Sequence, residues 1–178
     1  MMERPFDRTY WVLDGKLLAG CYPGDADLDK ARGKLSAMLD FGVRHFVNLM
    51  EPDERDWYGQ LFAPYNTVAR ELAQARGIEL SFSRFAIRDL EVPRRVLMEE
   101  ILRDIDRAVD SGRTVYVHCF GGRGRTGSVV GCWLVRHGAA SGAEALERIG
   151  ELRLVIPEAV RGPSPETPGQ AAFVRGWR

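Results

Sequence analysis

The spacing of apolar residues changes repeatedly along the chain between a strand-like and a helix-like pattern. An Asp14-Gly15 turn between two apolar stretches predicts a β-hairpin near the N-terminus. The apolar stretches typical of strands lie at residues 10–19, 43–49, 78–87 and 114–117. Apolar residues at helical spacing occupy 28–41, the second half of the segment that ends at 75, 96–109 and 126–137.

Helix boundaries are also marked in the sequence. Pro93 is expected in the first turn of the helix at 96–109, where a proline is tolerated. Two capping-box signatures, Ser141-x-x-Glu144 and Thr167-x-x-Gln170, open further helices. The alternation of strands and helices predicts an α/β fold, with a central, mostly parallel sheet of about four to five strands and helices on both faces.

The size and charge of the chain limit its function. Because 178 residues is the usual size of one domain, we expect residues 1–178 to form a single domain, with 1–9 as a flexible arm. The 25 basic and 25 acidic side chains cancel, which argues against a nucleic-acid partner. The most apolar run, at 127–135, is far shorter than the roughly 20 residues that span a bilayer. A monomer in the cytoplasm, without a membrane span, is the expectation.

Three cysteines, Cys21, Cys119 and Cys132, are widely spaced and odd in number. Such a set fits a reducing compartment better than a disulfide framework. The chain has no Cys-x-x-Cys pair, no His-rich tract and no His-Glu-x-x-His run. The sequence therefore predicts neither a metal site nor a cofactor.

The loop between the strand at 114–117 and the helix at 126–137 is rich in glycine. Ligands of parallel α/β sheets bind at the carboxyl ends of strands, where this loop lies. A glycine-rich loop that leads into a helix can direct backbone N–H groups and the positive end of the helix dipole at an anion. A Walker A loop is excluded, because no Gly-Lys-Ser/Thr follows the glycines. The expected phosphate-binding residues are Phe120, Gly121, Gly122, Arg123, Gly124 and Arg125.

Cys119 and Arg125 give this loop its chemistry. The helix start and Arg125 favour the ionised form of Cys119, and a thiolate is a ready nucleophile at neutral pH. The planar guanidinium of Arg125 can hold two phosphoryl oxygens at once, as a lysine cannot. A sulfur at the floor of the loop, with donors around its rim, is suited to in-line attack on a phosphate monoester.

The pattern His-Cys-x-x-Gly-x-x-Arg-Thr-Gly at 118–127 resembles the signature loop of the cysteine-dependent protein-tyrosine and dual-specificity phosphatases. The chain has no Trp-Pro-Asp triplet and no Asn-Arg-Tyr-type recognition loop, so it is similar to the compact dual-specificity members. The resemblance implies that Asp89, thirty positions before Cys119, is the general acid, and Glu91 is the second candidate for this role.

The same resemblance implies roles for three further residues. Thr126 would donate a hydrogen bond to the sulfur of Cys119. His118 would act through hydrogen bonds behind the loop rather than as a base. Asn48, in the strand at 43–49, would brace the loop.

The expected function is a metal-independent phosphatase that forms a cysteinyl-phosphate and acts on phosphotyrosine, or on phosphoserine and phosphothreonine, in proteins. Arg123 resembles the second cation of members that act on inositol lipids, so a phosphoinositide or inositol phosphate is the second substrate class. An inactive phosphate-binding module and a rhodanese-like or arsenate-reductase-like protein would also fit an anion-binding loop with a cysteine. Because the family uses second cysteines, a reversible Cys119–Cys132 disulfide is a further hypothesis.

Overall fold

A central sheet organises the protein, whose computed structural model describes residues 3–56 and 58–178. Its strands are β1 (Thr9–Leu13), β2 (Leu17–Gly20), β3 (Val43–Asn48), β4 (Ser81–Arg84) and β5 (Thr114–His118). Their order in the sheet is β1-β2-β5-β3-β4. β1 and β2 are antiparallel, and all other neighbours are parallel.

Helices cover both faces of this sheet, which confirms the predicted fold class. They are α1 (Leu28–Asp40), α2 (Tyr65–Gln74), α3 (Arg95–Asp110), α4 (Gly124–Arg136), α5 (Gly142–Leu152), α6 (Glu158–Arg161) and α7 (Pro168–Arg175). A turn of 3-10 helix, Arg153–Val155, follows α5. In the described part of the chain, no helix is both long and apolar enough to cross a membrane.

Strand β5 lies between two hydrophobic clusters, one on each face of the sheet. Successive side chains of a strand point to opposite faces. Val115 and Val117 are buried in the cluster that contains residues of α3, α4, α5 and α7. Tyr116 is buried in the cluster that contains residues of α1 and α2. The carboxyl end of β5, from which the glycine-rich loop begins, is therefore anchored from both sides.

The hairpin and both capping boxes form as predicted. β1 and β2 are joined through the Asp14-Gly15 turn, in which Gly15 has a φ of +69°. At the start of α5, Ser141 and Glu144 each accept a hydrogen bond from the backbone of the other. Thr167 and Gln170 do the same at the start of α7.

Three boundaries differ from the prediction. β4 is shorter than residues 78–87. The N–H of Ile78 bonds to the end of α2 instead of the sheet, and beyond β4 the N–H groups of Phe85 and Ile87 donate to the carbonyls of Asn48 and Leu49, where β3 itself ends. α4 begins at Gly124, two residues before the predicted start, because Gly124 and Arg125 already have helical geometry. Pro93 precedes the N-cap residue of α3 instead of lying in its first turn.

The segment expected to be a flexible arm contacts the rest of the fold where it is described. The indole N–H of Trp11 donates to the carbonyl of Glu3 at 2.9 Å, and Thr9 is buried. A guanidinium N–H of Arg8 donates to the carbonyl of Gly121 at 3.1 Å. From residue 3 onward the segment thus packs against the domain and reaches the glycine-rich loop.

Candidate active site

The parallel sheet brings two loops together at one edge. β3 and β5 are neighbours, and Asn48 pairs in register with His118 at their carboxyl ends. The loop after β5 begins with Cys119, and the loop after β3 contains Glu54. Chain segments that leave the same end of adjacent parallel strands must lie close together. This edge is therefore the place where a binding site forms.

The sulfur of Cys119 lies at the floor of the glycine-rich loop. The residue is only 2% exposed. The hydroxyl of Thr126, in the first turn of α4, donates to this sulfur at an O–S distance of 3.1 Å. Its distance to the carbonyl oxygen of Gly20 is longer, at 3.4 Å. The structure thus places the hydroxyl of Thr126 against the sulfur of Cys119.

The backbone donors of the loop are unpaired within the part of the chain that the structure describes. No described residue accepts a hydrogen bond from the backbone N–H of any residue from Gly121 to Thr126. Among residues 3–56 and 58–178, no side chain caps the N-terminus of α4. Unpaired N–H groups at a helix start carry partial positive charge and are suited to bind an anion. The loop therefore presents a row of open donors next to a sulfur atom.

The shape of the loop depends on a close approach at Gly122. This residue has a φ of +70°, and a Cβ atom there would lie 2.5 Å from the carbonyl carbon of Gly20. The loop is also tied to the end of β2 through a hydrogen bond from the N–H of Tyr22 to the carbonyl of Phe120, at 3.0 Å. The ring of Phe120 packs against Phe62 with centroids 4.9 Å apart.

Arg125 is fixed by carboxylates on its outer edge. Its two terminal nitrogens donate to the two oxygens of Glu54 at 2.6 and 2.8 Å, and one of them also donates to the carbonyl of Ile87. The other lies 2.9 Å from a carboxylate oxygen of Asp89. The buried Nε has no hydrogen-bond partner in the described part of the chain. This nitrogen is a donor left available to a bound anion.

The environment of Arg125 keeps its charge. Burial alone would lower the pKa of this guanidinium, but its hydrogen bonds to Glu54 and the nearby Cys119 and Asp89 raise that pKa above the ordinary value. The residue is 1% exposed, so a positive charge is held beside the sulfur with little screening by water.

The two candidate acids differ in their position. The carboxylate of Asp89 faces the active-site arginine, and its side chain is 54% exposed, so protons can reach it from solvent. The carboxylate of Glu91 makes no hydrogen bond or ion pair with any described residue. The hydrogen bonds of Glu91 are made by its backbone: its N–H donates to the carbonyl of Arg88, and its carbonyl accepts from the side chain of Gln170. Of the two candidates, it is thus Asp89 whose carboxylate contacts Arg125.

His118 lies behind the loop and is fully buried. Its Nε2 is 2.8 Å from the hydroxyl of Tyr65, and its Nδ1 is 3.1 Å from the carbonyl of Cys119. Burial lowers the pKa of His118 to about 3, so the imidazole is neutral at physiological pH. Its contacts are those of a residue that supports the loop from behind.

Asn48 contacts a different loop from the one expected. Its side-chain oxygen accepts from the N–H of Met50 at 2.9 Å, within the loop after β3. The link from β3 to the cysteine loop is made by backbone atoms, through a 2.9 Å hydrogen bond from the N–H of Leu49 to the carbonyl of His118. Asn48 thus shapes the loop that carries Glu54.

Arg123 points away from the centre of the loop. Its guanidinium pairs with the carboxylate of Glu166, and its backbone carbonyl accepts from the hydroxyl of Ser164 at 2.8 Å. The positive charge of this side chain is therefore balanced by a carboxylate of the segment before α7.

The remaining cysteines are free thiols in buried positions. Burial raises the pKa of both Cys21 and Cys132 above the ordinary value. Among residues 3–56 and 58–178, no group of three or more His, Cys, Asp or Glu side chains is arranged to hold a metal ion.

Three residues near the loop are missing from the sequence-based prediction: Glu54, Glu166 and Gln170. Glu54 lies in the charged segment that follows β3. It could have been predicted only with the knowledge that β3 and β5 are neighbours in the sheet. The sequence marks Gln170 only as part of a capping box. Its contact with the acid loop joins residues 79 positions apart, and no local pattern marks such a contact.

Comparisons with known proteins agree with this geometry. Residues 26–139 match the family described as Tc-R-P, polymorphic toxin system, DSP-PTPase phosphatase. The phosphatidylglycerophosphate phosphatase PTPMT2 of Arabidopsis thaliana is 34% identical over 82% of this chain and 56% of its own length. Protein tyrosine phosphatase domain-containing protein 1 of Mus musculus is 28% identical over 93% of this chain and 21% of its own length.

Solved structures share the fold. A crystal structure of PTPMT1 in complex with PI(5)P superposes with a TM-score of 0.67 at 21% identity, and covers 95% of this chain and 93% of that one.

The chain spans between about a fifth and just over half of the length of the two curated relatives above. The matched family model covers more than half of the chain, including the cysteine loop and Asp89. This chain therefore belongs to the DSP-PTPase phosphatase family.

Proposed function

We propose that this protein removes phosphate from phosphotyrosine in proteins, and from phosphoserine or phosphothreonine as further substrates, through a cysteinyl-phosphate intermediate. The observation that carries the proposal is the set of open donors beside Cys119. These are the backbone N–H groups from Gly121 to Thr126 and the buried Nε of Arg125. Such donors can hold the oxygens of a phosphoryl group while a nucleophile attacks the phosphorus.

The first step transfers the phosphoryl group to sulfur. The Cys119 thiolate attacks phosphorus in line with the leaving oxygen, so a P–S bond forms as the P–O bond breaks. Asp89, in its protonated form, gives its proton to the leaving oxygen. The loop amides and Arg125 balance the negative charge on the other three oxygens.

The second step releases phosphate. Asp89, now a carboxylate, takes a proton from a water molecule that attacks the phosphorus of the cysteinyl-phosphate. The P–S bond breaks and its electron pair returns to sulfur. The hydroxyl of Thr126, 3.1 Å from that sulfur, stabilises the thiolate as it leaves. Inorganic phosphate then departs, and the enzyme is ready for another substrate.

A cavity beside the loop supports an aromatic substrate. It has a volume of about 580 Å³, and its apolar lining includes Phe120, Phe62, Leu61 and Tyr58. Aromatic rings pack well against such walls. Because Glu166 already balances the charge of Arg123, this arginine is not available to bind a second phosphate on the substrate.

A lipid or inositol phosphate is the second candidate, and two observations favour it. The Arabidopsis relative is named as a phosphatidylglycerophosphate phosphatase. In addition, Arg8 lines the same cavity and has no carboxylate partner in the described part of the chain. An uncompensated cation next to the loop could attract a second anionic group of a substrate.

The chemistry is tested with three variants on two substrates. Cys119→Ser should abolish turnover of p-nitrophenyl phosphate, whereas Cys132→Ala, the matched control at a buried cysteine, should retain it. Asp89→Asn should lose about a hundredfold or more on an alkyl phosphate and much less on p-nitrophenyl phosphate, because the alkoxide needs the proton more. Full activity of Cys119→Ser would overturn the mechanism, and equal losses of Asp89→Asn on both substrates would overturn the role of Asp89.

The substrate class is tested separately with the wild-type enzyme. Phosphotyrosine, phosphoserine and phosphothreonine peptides are compared with vesicles that contain phosphatidylglycerophosphate or a phosphoinositide. We expect the highest kcat/KM on phosphotyrosine peptides. A higher value on the vesicles would replace this proposal with the lipid phosphate. Turnover of thiosulfate or arsenate in place of any phosphoester would point to sulfur or arsenate chemistry.

A further inference from the structure

The segment before and at the start of α7 lies between the cysteine loop and the loop of Asp89. On one side, the hydroxyl of Ser164 donates to the carbonyl of Arg123, and Glu166 pairs with the guanidinium of that arginine. On the other side, the hydroxyl of Thr167 lies 3.5 Å from the carbonyl of Leu90. Residues 164–170 thus contact both halves of the active site.

Gln170 is the centre of this contact. It is fully buried, and its side-chain oxygen accepts from the backbone N–H groups of Glu166 and Thr167, each at 3.1 Å. Its side-chain nitrogen donates to the carbonyl of Glu91 at 3.1 Å. The amide also packs against the start of α4, since a Cβ atom on Gly124 would lie 2.9 Å from that nitrogen.

The loop that Gln170 binds is a tight turn that carries Asp89 on its exposed side. The N–H of Glu91 donates to the carbonyl of Arg88 at 3.1 Å, which closes the turn. Leu90, inside the turn, has a φ of +63°, a conformation that is strained for a non-glycine residue. A turn with this strain needs contacts from outside to keep its shape. The contact with Gln170 fixes the carbonyl two residues after Asp89.

We propose that Gln170 is a positioning residue for proton transfer: it holds the turn at residues 88–91 so that the Asp89 carboxyl keeps its place beside Arg125. The inference rests on the proposed function, in which Asp89 is the general acid. The hydrogen bonds of the Gln170 side chain go to the backbone of Glu91, Glu166 and Thr167 and not to the sulfur of Cys119. Gln170 acts through the amide hydrogen bond to Glu91, and its loss displaces the acid without removing it.

This role predicts a distinct kinetic signature. An acid that is out of place by about 1 Å loses much of its effect, and the loss is largest when the leaving oxygen most needs a proton. The dependence of kcat/KM on the pKa of the leaving alcohol should therefore become steeper. A residue that only stabilises the fold would lower the rates on all substrates by the same factor and leave this slope unchanged.

The test uses the variant Gln170→Glu on a series of aryl and alkyl phosphates at neutral pH. A glutamate keeps a side-chain oxygen that can accept hydrogen bonds from the backbone N–H groups of Glu166 and Thr167. Glutamate is also common at the third helical position of a capping box, which Gln170 occupies. As a carboxylate it has no hydrogen to donate to the carbonyl of Glu91. We expect kcat/KM to fall about tenfold on alkyl phosphates and less than about threefold on p-nitrophenyl phosphate.

Two controls complete the experiment. Ser141→Ala removes the other capping box, at α5, and should lower the melting temperature without a change of slope. Gln170→Ala replaces Gln170→Glu if the latter does not fold. A slope equal to that of the wild type in the folded Gln170 variant would overturn the inference.

Asp89→Asn separates this inference from the function on which it rests. If the dependence of kcat/KM on the leaving-group pKa is steep for Asp89→Asn but equal to that of the wild type for the Gln170 variant, only the positioning role is overturned. A wild-type slope for Asp89→Asn itself would instead show that a different residue supplies the proton in the proposed mechanism.

Discussion

At the scale of single residues, burial decides which protonation state each group of the site can adopt. His118 illustrates this, because it is enclosed by the aromatic rings of Tyr65 and Tyr116 and lies close to the cations Arg84 and Arg125. Burial, aided by these cations, lowers the pKa of His118 to about 3, and the hydrogen bond to the carbonyl of Cys119 offsets only part of the shift. The imidazole of His118 is therefore neutral at physiological pH and takes part in the site through its hydrogen bonds.

The lowered pKa of His118 predicts a loss of stability in acid. An unfolded histidine titrates near pH 6.5, so the unfolded chain binds more protons than the folded one between about pH 6.5 and 3, and stability falls as the pH falls through this window. The wild type should lose about 2 kcal/mol more than His118→Gln between pH 7 and pH 5. Urea unfolding at the two pH values measures this difference. Parallel losses in both proteins would contradict the prediction.

At the scale of elements, a glycine decides whether the loop can form. Gly122 combines a φ of +70° with an approach to the backbone of β2, where a Cβ atom would lie 2.5 Å from the carbonyl carbon of Gly20 and 2.6 Å from the nitrogen of Cys21. Backbone atoms cannot move aside as the end of a flexible side chain can. The neighbouring Gly121 has open space at the corresponding position and no unusual φ.

We therefore expect Gly122→Ala to destabilise the protein by about 2–3 kcal/mol, because it adds both a clash and backbone strain. Gly121→Ala is the matched control and should change the free energy of unfolding by less than about 1 kcal/mol. Chemical denaturation of both variants measures the difference. If both alanines had the same small effect, the loop would not depend on this close approach.

The elements themselves could be predicted where local chemistry determines them. The Asp14-Gly15 hairpin and the two capping boxes form as expected, because turns and helix ends depend on neighbouring residues. The limits of β4 could not be predicted in the same way. Its pattern extends over ten residues, but the hydrogen bonds available from β3 and the end of α2 decide where it begins and ends.

At the scale of the whole molecule, the site is assembled from distant parts of the chain. Cys119, Arg125 and Thr126 lie within one loop and helix start, so a sequence motif contains them. Glu54 and Arg125 are 71 positions apart. Their contact depends on the order of strands in the sheet, which the sequence pattern does not specify.

Binding of an anion at this assembled site should stabilise the fold. A ligand that binds only the folded state adds about 2.7 kcal/mol at a hundredfold excess over its Kd, which is roughly 5–10 °C in melting temperature for a protein of this size. Inorganic phosphate or vanadate should give such a shift in the wild type. Arg125→Ala, compared with its own baseline, should show little shift. An equal shift in the variant would place the anion elsewhere.

The paired carboxylate oxygens of Glu54 also bear on selectivity. A free arginine that becomes fixed on a ligand gives up rotamer freedom worth up to about 2 kcal/mol. Arg125 has already lost this freedom on folding, because Glu54 and the carbonyl of Ile87 hold its terminal nitrogens. A rigid receptor gains affinity for a guest of matching shape and cannot adapt to others. Tetrahedral oxyanions should therefore compete with the substrate for the site. A flat anion such as nitrate should not compete, even though its charge equals that of a singly charged phosphate ester.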